Sequence, residues 1–162
     1  MATALHAAPD LADMHVIVER LWLGSMFAAY DAGLLAQNGI TAVLSCAAEL
    51  PVRRDVADAA GVLHALRLPM EDRADFPDAD MCIREGASAI AKWLERGECV
   101  LCHCAAGVSR SASCVVAYLI LYRGMRFEAA LALVQQRRRI AQPNEGFVAV
   151  LRALPVGERV AL

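Results

Sequence analysis

The sequence predicts an α/β fold, with a central, mostly parallel sheet of about five strands flanked by helices. Short apolar runs of strand length alternate with longer segments whose apolar residues recur at helical spacing. A strand, a helix, a glycine and a second strand follow one another between residues 21 and 46, which is typical of a parallel crossover unit. Beyond residue 126 only helices are predicted, so the sheet is completed before that point.

The strands are predicted from apolar and β-branched runs that end at turn residues. The first two are short and lie near the edge of the sheet, with Arg20 in the turn between them. Pro69 ends the fourth run, because proline cannot continue a hydrogen-bonded strand. The five predicted strands are 15–19, 21–24, 40–46, 62–68 and 99–103.

The helices are predicted from apolar spacing and from capping residues. Asn38 and Gly39 end the first helix, and Asp78 is expected to cap the second. The third is apolar almost all round, which predicts a central buried helix. The predicted helices are 28–38, 79–96, 109–122, 127–136 and 144–154. The inner face of the second is expected to carry Ile83, Ala87, Ile90, Ala91 and Leu94.

Composition favours one compact domain, predicted at 14–157 behind a flexible N-terminal arm at 1–13. A net charge of −2 and an isoelectric point near 6.1 argue against a nucleic-acid partner, which would require a basic surface. Six cysteines lie mostly inside apolar runs, which favours reduced thiols and a cytoplasmic location, with the nucleus as a second location. No apolar stretch reaches about 18 residues without a charge, so no membrane contact is predicted.

Residues 100–111 read V-L-C-H-C-A-A-G-V-S-R-S and concentrate the chemistry of the chain. The apolar run predicts a buried strand, the glycine a sharp loop, and the segment around Arg110 the start of a helix. Such a loop turns backbone N–H groups inward at the positive end of the helix dipole, where a phosphoryl dianion fits. The same dipoles, together with Arg110, favour the thiolate of Cys104 over the thiol.

The segment H-C-A-A-G-V-S-R-S resembles the signature loop of cysteine-dependent protein phosphatases, and A-Y-L-I at 117–120 is most similar to the dual-specificity branch. Other similar segments are L-W-L-G-S at 21–25, L-P-M-E-D at 68–72 and P-N-E-G-F at 143–147. The resemblance implies the protein tyrosine phosphatase-like fold of the dual-specificity type and a reaction without metal or other cofactor. It also implies that phosphate binds against Ala105, Ala106, Gly107, Val108, Ser109 and Arg110.

In the chemistry of that family, Cys104 attacks phosphorus in line and forms a phosphocysteine. Arg110 would present its planar fork to two phosphate oxygens and stabilise the charge of the transition state. Ser111 follows the arginine, where its hydroxyl can donate to the Cys104 sulfur and assist hydrolysis of the intermediate. A backbone hydrogen bond in the first turn of the helix is the alternative role for Ser111.

The oxygen that leaves phosphorus needs a proton, which requires a carboxylic acid on a separate loop. The family match at 68–72 assigns this acid to Asp72, which would later act as the base on water. Asp75 and Glu71 are neighbouring carboxylates of the same chemistry, and Asp75 is kept as the rival acid. A solvated acidic turn without a catalytic role is the remaining alternative.

Three neighbouring features are given structural roles. His103 is expected to point away from the pocket and to order the loop through a hydrogen bond. Asn144 is expected to brace the loop or to cap the last helix. Residues 137–139 are consecutive arginines, which could dock an acidic partner or direct nuclear import but are predicted to form a solvated face.

The remaining cysteines leave two interpretations. Cys99 and Cys102 have the spacing of a metal-binding pair, but no second pair follows and the two positions face opposite sides of a strand, so no metal is predicted. Cys46 ends the strand next to the loop and could form a disulfide with Cys104 after oxidation by peroxide. Cys102 is the rival partner, and buried cysteines without any redox role are the alternative.

The predicted function is hydrolysis of phosphotyrosine and of phosphoserine or phosphothreonine, because short connections favour a shallow pocket. The alternatives are a phosphoprotein-binding module with little turnover, and a phosphatase acting on a lipid or an RNA 5′-phosphate. The loop interior carries no lysine, which disfavours a polyphosphorylated headgroup. The expected partner is a phosphoprotein substrate, with a protein kinase as one candidate, and the chain is predicted to be a monomer or weak dimer.

Overall fold

A computed structural model describes residues 14–157, so the arm predicted at 1–13 lies outside the described residues. One sheet contains β1 (Met14–Val18), β2 (Leu21–Gly24), β3 (Ala42–Ser45), β4 (His64–Arg67) and β5 (Val100–His103). Its strand order is β1-β2-β5-β3-β4, and the β1–β2 pair is antiparallel while the other pairs are parallel. The predicted five-stranded, mostly parallel sheet is confirmed.

The register of the parallel strands determines where the loop after β5 lies. Gly24 on β2 and Ser45 on β3 both pair with His103, the last residue of β5. Three neighbouring strands therefore end at the same level, and residue 104 starts at the middle of their carboxyl edge. Parallel α/β sheets bind their ligands at this edge.

Seven helices accompany the sheet within residues 14–157. They are α1 (Met26–Ala29), α2 (Ala32–Gln37), α3 (Arg54–Ala60), α4 (Ala79–Glu95), α5 (Arg110–Arg123), α6 (Phe127–Arg137) and α7 (Glu145–Ala153). The last four agree with the predicted helices to within a residue or two at each end. All of these helices are too short or too polar to span a bilayer.

Three details differ from the sequence prediction. The helix predicted at 28–38 is divided in two, because the Asp31 carboxylate accepts a hydrogen bond from the Leu34 N–H at 2.9 Å and starts α2 afresh. The helix α3 was not predicted, since none of its residues is buried and it has no apolar stripe. Asp78 stands at the N-cap of α4 without a capping hydrogen bond, because its ψ of 19° departs from the extended backbone that a capping side chain needs.

The helix α5 forms the centre of the helical layer, as the sequence predicts. Every residue from Arg110 to Ile120 is buried. The helix α4 packs closely on it at Gly86, where an added Cβ would lie 2.5 Å from Cys114 Sγ. The five residues predicted for the inner face of α4 are all buried. The loop that precedes α5 is therefore fixed at both ends, by a central strand and by a buried helix.

Candidate active site

The loop of residues 104–109 holds its carbonyl groups outward. Each carbonyl from residue 104 to residue 108 accepts a hydrogen bond from outside the loop, at 2.7–3.2 Å. The donors are, in chain order of the acceptors, His103 Nδ1, Met26 N, Arg138 Nη2, Arg138 Nε and Gln142 N.

The orientation of these carbonyls determines the direction of the N–H groups. A peptide group is planar and trans, so a carbonyl that points outward turns the N–H of the next residue inward. Among the described residues, no N–H group from 105 to 109 donates to a backbone carbonyl. Five N–H groups therefore face the interior of the loop, and we call this concave surface the anion cradle (the N–H groups of residues 105–109). These residues lie within the segment that the sequence predicts to bind phosphate, and phosphate binding there stays a prediction.

The cradle requires glycine at position 107. Gly107 has a φ of 66°, a region that side chains with a Cβ rarely adopt. An added Cβ would lie 2.5 Å from the Gly24 carbonyl oxygen at the end of β2. The loop can pass this close to the neighbouring strand because the residue has no side chain.

Cys104 lies at the floor of the cradle and is 3% exposed. Its Sγ is 3.1 Å from the hydroxyl oxygen of Ser111, which is fully buried in the first turn of α5. A thiolate can only accept a hydrogen bond, so in that state the Ser111 hydroxyl donates to the sulfur. The structure thus brings together the cysteine and the serine that the sequence paired.

Arg110 begins α5 and is 6% exposed. Its Nη1 and Nη2 donate to the two carboxylate oxygens of Glu49 at 2.5 and 2.6 Å, and Nη1 also donates to the Met70 carbonyl at 3.1 Å. Its Nε is buried and has no hydrogen-bond partner among the described residues. This arrangement leaves the Nε–H and the second Nη2–H, which form one edge of the guanidinium, for two oxygens of an anion.

The carboxylate of Glu49 orients this guanidinium, a contact that the sequence prediction missed. The hydrogen bond from Arg110 lowers the pKa of Glu49, so the carboxylate remains charged as the solution becomes acidic. Burial lowers the pKa of Arg110, but the bond to Glu49 and nearby negative charges outweigh it, and the pKa is raised. The pair is therefore ionic throughout the neutral and mildly acidic range.

The two candidate acids have different partners. Asp72 Oδ1 accepts a hydrogen bond from Asn144 Nδ2 at 2.9 Å. The negative charge of Asp72 also contributes to the raised pKa of Arg110, after the larger effects of burial, Glu49 and Cys104. The Asp75 side chain is 80% exposed and pairs with Arg73 at 3.0 Å. Arg73 also binds Glu71 at 2.7 Å, so both rival carboxylates share one surface arginine.

Asn144 connects the anion cradle and α7 to the acid loop, which is the segment of residues 68–78 between β4 and α4. Besides the bond to Asp72, its Oδ1 accepts the Phe147 N–H at 2.9 Å and caps α7. Its backbone N–H donates to the Ser109 hydroxyl at 2.9 Å. The two roles that were predicted as alternatives, bracing the loop and capping the helix, are both present.

His103 lies beneath the loop and supports its first peptide group. The residue is 2% exposed, its Nδ1 is 3.2 Å from the Cys104 carbonyl oxygen, and its ring meets Tyr30 edge-on at 6.3 Å. The carbonyl can only accept, so Nδ1 carries the proton. Burial lowers the pKa of His103 to about 4, which keeps the imidazole neutral near pH 7. The predicted loop-ordering hydrogen bond is confirmed.

Comparison with known proteins identifies the family. The family model described as dual specificity phosphatase, catalytic domain, matches residues 21–155. The chain belongs to this family. It is 36% identical to dual specificity protein phosphatase 2 of Mus musculus over 85% of this chain and 42% of that protein. It is 34% identical to dual specificity protein phosphatase 1B of Arabidopsis thaliana over 86% of this chain and 80% of that protein.

A solved structure agrees with this assignment. A mouse dual specificity phosphatase in complex with zinc tungstate superposes with a TM-score of 0.80 at 30% identity, over 94% of this chain and 91% of that chain. Because the likeness extends over nearly all of both chains, the dual specificity phosphatase fold predicted from the sequence is confirmed. The chain spans less than half the length of the mouse relative named above and four fifths of the Arabidopsis one.

Three other cysteines of this dual specificity phosphatase family member form a buried group. Cys46 Sγ lies 3.7 Å from Cys102 Sγ and 3.7 Å from Cys114 Sγ. Burial raises the pKa of both Cys46 and Cys102, so these thiols are protonated near pH 7. The predicted disulfide between Cys46 and Cys104 remains a prediction. Within residues 14–157, no group of three or more His, Cys, Asp or Glu side chains is placed to hold a metal ion.

The prediction of a solvated face at residues 137–139 is wrong for Arg138. Arg137 and Arg139 are exposed. Arg138 is only 2% exposed and donates to the carbonyls of Ala106 and Gly107, on the outer side of the loop that forms the anion cradle. The helical spacing contained a signal for this contact. Ala130 and Val134 are buried at intervals of four residues on α6, and the next position on that stripe is 138.

Proposed function

We propose that this chain is a protein phosphatase that hydrolyses phosphotyrosine and phosphoserine or phosphothreonine through a phosphocysteine intermediate. The observation that carries the proposal is the set of inward N–H groups around Cys104. Hydrogen-bond donors arranged around a buried sulfur suit the equatorial oxygens of a phosphoryl group that is attacked in line by that sulfur. Membership of the dual specificity phosphatase family supports both the reaction and the pair of substrate classes.

In the first step, the Cys104 thiolate attacks phosphorus, forms the S–P bond and breaks the bond from phosphorus to the substrate oxygen. The free edge of Arg110 and the N–H groups of the cradle bind the three equatorial oxygens as the charge redistributes. Protonated Asp72 gives its proton to the departing oxygen. This proton matters most for phosphoserine and phosphothreonine, because an alkoxide is a poorer leaving group than a phenolate.

In the second step, water attacks the phosphocysteine. The Asp72 carboxylate accepts a proton from the water, the new P–O bond forms, and the P–S bond breaks to return the electron pair to sulfur. The Ser111 hydroxyl donates to the departing sulfur, which favours its release as thiolate. Inorganic phosphate then leaves the cradle, and the enzyme returns to its starting state.

The test uses the purified chain with para-nitrophenyl phosphate and with phosphotyrosine, phosphoserine and phosphothreonine peptides. We expect Cys104→Ser to abolish turnover and to retain phosphopeptide binding, while the matched variant Cys99→Ser keeps wild-type rates. Peptide binding without any turnover by the wild type would instead indicate a binding module. If only a phosphoinositide or an RNA 5′-phosphate is turned over, the substrate is a lipid or an RNA and not a phosphoprotein.

The acid is tested separately with Asp72→Ala. Its rate should fall by about 100-fold or more on phosphoserine peptide, and the affinity for inorganic phosphate should be retained. The loss should be smaller on para-nitrophenyl phosphate, because that leaving group departs more easily without a proton. An unchanged rate in Asp72→Ala, together with a loss in Asp75→Ala, would transfer the role to Asp75.

A further inference from the structure

Arg138 is a buried cation placed on the outer side of the anion cradle. It follows the last residue of α6 and is 2% exposed. Its Nε donates to the Gly107 carbonyl and its Nη2 donates to the Ala106 carbonyl, both at 2.9 Å. A third nitrogen, Nη1, lies 3.0 Å from His15 Nδ1 on β1 and donates to it, because a guanidinium cannot accept. One side chain thus joins the end of α6, an edge strand and the phosphate-binding loop.

We propose that Arg138 is a positioning residue that orients two of the phosphate-binding N–H groups. The Ala106 carbonyl belongs to the same peptide group as the Gly107 N–H, and the Gly107 carbonyl belongs to the same group as the Val108 N–H. Each peptide group is rigid, so holding its oxygen outward fixes its N–H inward. Arg138 therefore acts on a bound phosphoryl group through two peptide planes, without touching it. The inference rests on the proposed phosphatase function.

The shape of the guanidinium suits this role better than an ammonium would. Nε and Nη2 lie on one edge of a planar fork, and the two acceptors are carbonyls of consecutive residues, Ala106 and Gly107. A lysine would bring one point charge with no fixed angle between its donors. The hydrogen bonds come from a cation, so they are stronger than neutral ones and polarise each peptide group, which makes the opposite N–H a better donor.

Gly107 lies so close to the Arg138 guanidinium that a side chain at position 107 would contact it. A Cβ on that residue would lie 2.8 Å from Arg138 Nη2. The peptide groups on both sides of Gly107 are thus confined between Arg138 on the outside and the ligand position on the inside. Removing the guanidinium would free both peptide groups to rotate, and glycine offers little resistance to such a rotation.

The experiment compares the wild type with Arg138→Met and Arg138→Lys, and with Arg137→Met as the exposed control on the same helix. For each, kcat and KM on para-nitrophenyl phosphate and the competitive inhibition constant of inorganic phosphate are measured below the melting temperature of that variant. We expect Arg138→Met to lower kcat/KM and weaken phosphate inhibition by about tenfold to a hundredfold. Arg138→Lys should recover part of both losses, and Arg137→Met should match the wild type.

A purely structural role would give a different result. Variants at 138 that melt earlier but keep the phosphate inhibition constant within about twofold of the wild type would overturn the inference. If Arg138→Met does not fold, Arg138→Lys alone decides, since it retains the charge and lacks the fork. If the wild type shows no turnover, the proposed function fails, and calorimetric binding of phosphate to the same variants tests Arg138 independently, with equal affinities overturning the inference.

Discussion

His103 should link the stability of the protein to pH. Burial lowers its pKa from 6.5 to about 4. As the pH falls below 6.5, the unfolded chain binds a proton that the native imidazole does not, so the free energy of unfolding decreases. Below about pH 4 both states are protonated, and the loss stops growing. A pKa difference of about 2.5 corresponds to about 3 kcal/mol in total, of which about 2 kcal/mol is lost between pH 7 and pH 5.

The assay is urea unfolding of the wild type and of His103→Asn at pH 7, 6 and 5. Asparagine places an N–H donor near the position of Nδ1 but does not titrate. Between pH 7 and pH 5, the free energy of unfolding of the wild type should therefore fall by about 2 kcal/mol more than that of the variant. Parallel losses in the wild type and His103→Asn would refute the reasoning.

Three further predictions follow from other contacts of the site. Glu49→Gln places an amide N–H against the Arg110 guanidinium, so kcat/KM and phosphate affinity should each fall by about tenfold in the para-nitrophenyl phosphate assay. Gly107→Ala introduces a Cβ 2.5 Å from a carbonyl oxygen at positive φ, and should lower the urea-derived stability by about 1–3 kcal/mol as well as weaken phosphate inhibition. Hydrogen peroxide should oxidise the Cys104 thiolate to a sulfenic acid with release of hydroxide. The Cys46 sulfur then attacks that sulfur, the S–O bond breaks, and the hydroxyl group leaves as water with the Cys46 proton, which gives a disulfide that peptide mass spectrometry detects.

The first two of these predictions each have a matched control variant. Glu71→Gln removes a carboxylate from the exposed Arg73 and should leave the rate unchanged; equal losses in the two glutamine variants would contradict a specific role for Glu49. Gly61 has a φ of 78° and open space around its Cβ position, so Gly61→Ala isolates backbone strain and should not alter phosphate inhibition. Sulfinate on Cys104 with Cys46 still reduced would exclude the disulfide.

The continuous part of the site could be predicted from the sequence because its chemistry is local. Twelve consecutive residues, from Val100 to Ser111, contain a buried strand, a glycine-containing loop and the first residues of a helix. The backbone between the strand and the helix has few ways to turn. The sulfur of Cys104 and the hydroxyl of Ser111 are seven positions apart, so their contact follows from the geometry of that turn.

The residues that the sequence did not reveal act across long separations. Glu49 is 61 positions from Arg110, in a stretch with no regular spacing that would assign a partner to it. Arg138 stands among three arginines, a composition typical of a solvated surface, and its burial depends on packing against the loop 31 positions earlier. In both cases the ion is stabilised by groups that only the folded chain brings together. The helical spacing of α6 can indicate that position 138 is buried, but no local pattern identifies the carbonyls that Arg138 binds.

Asn144 links the proposed proton donor to the last helix. The side-chain amide of Asn144 binds Asp72 and caps α7, while the backbone N–H of the same residue donates to the Ser109 hydroxyl. An added Cβ at Gly146 would overlap the Ala74 carbonyl of the acid loop. Removing the Asn144 side chain would therefore release Asp72 and uncap α7 in a single change, so the proposed proton donor and the start of the last helix depend on the same residue.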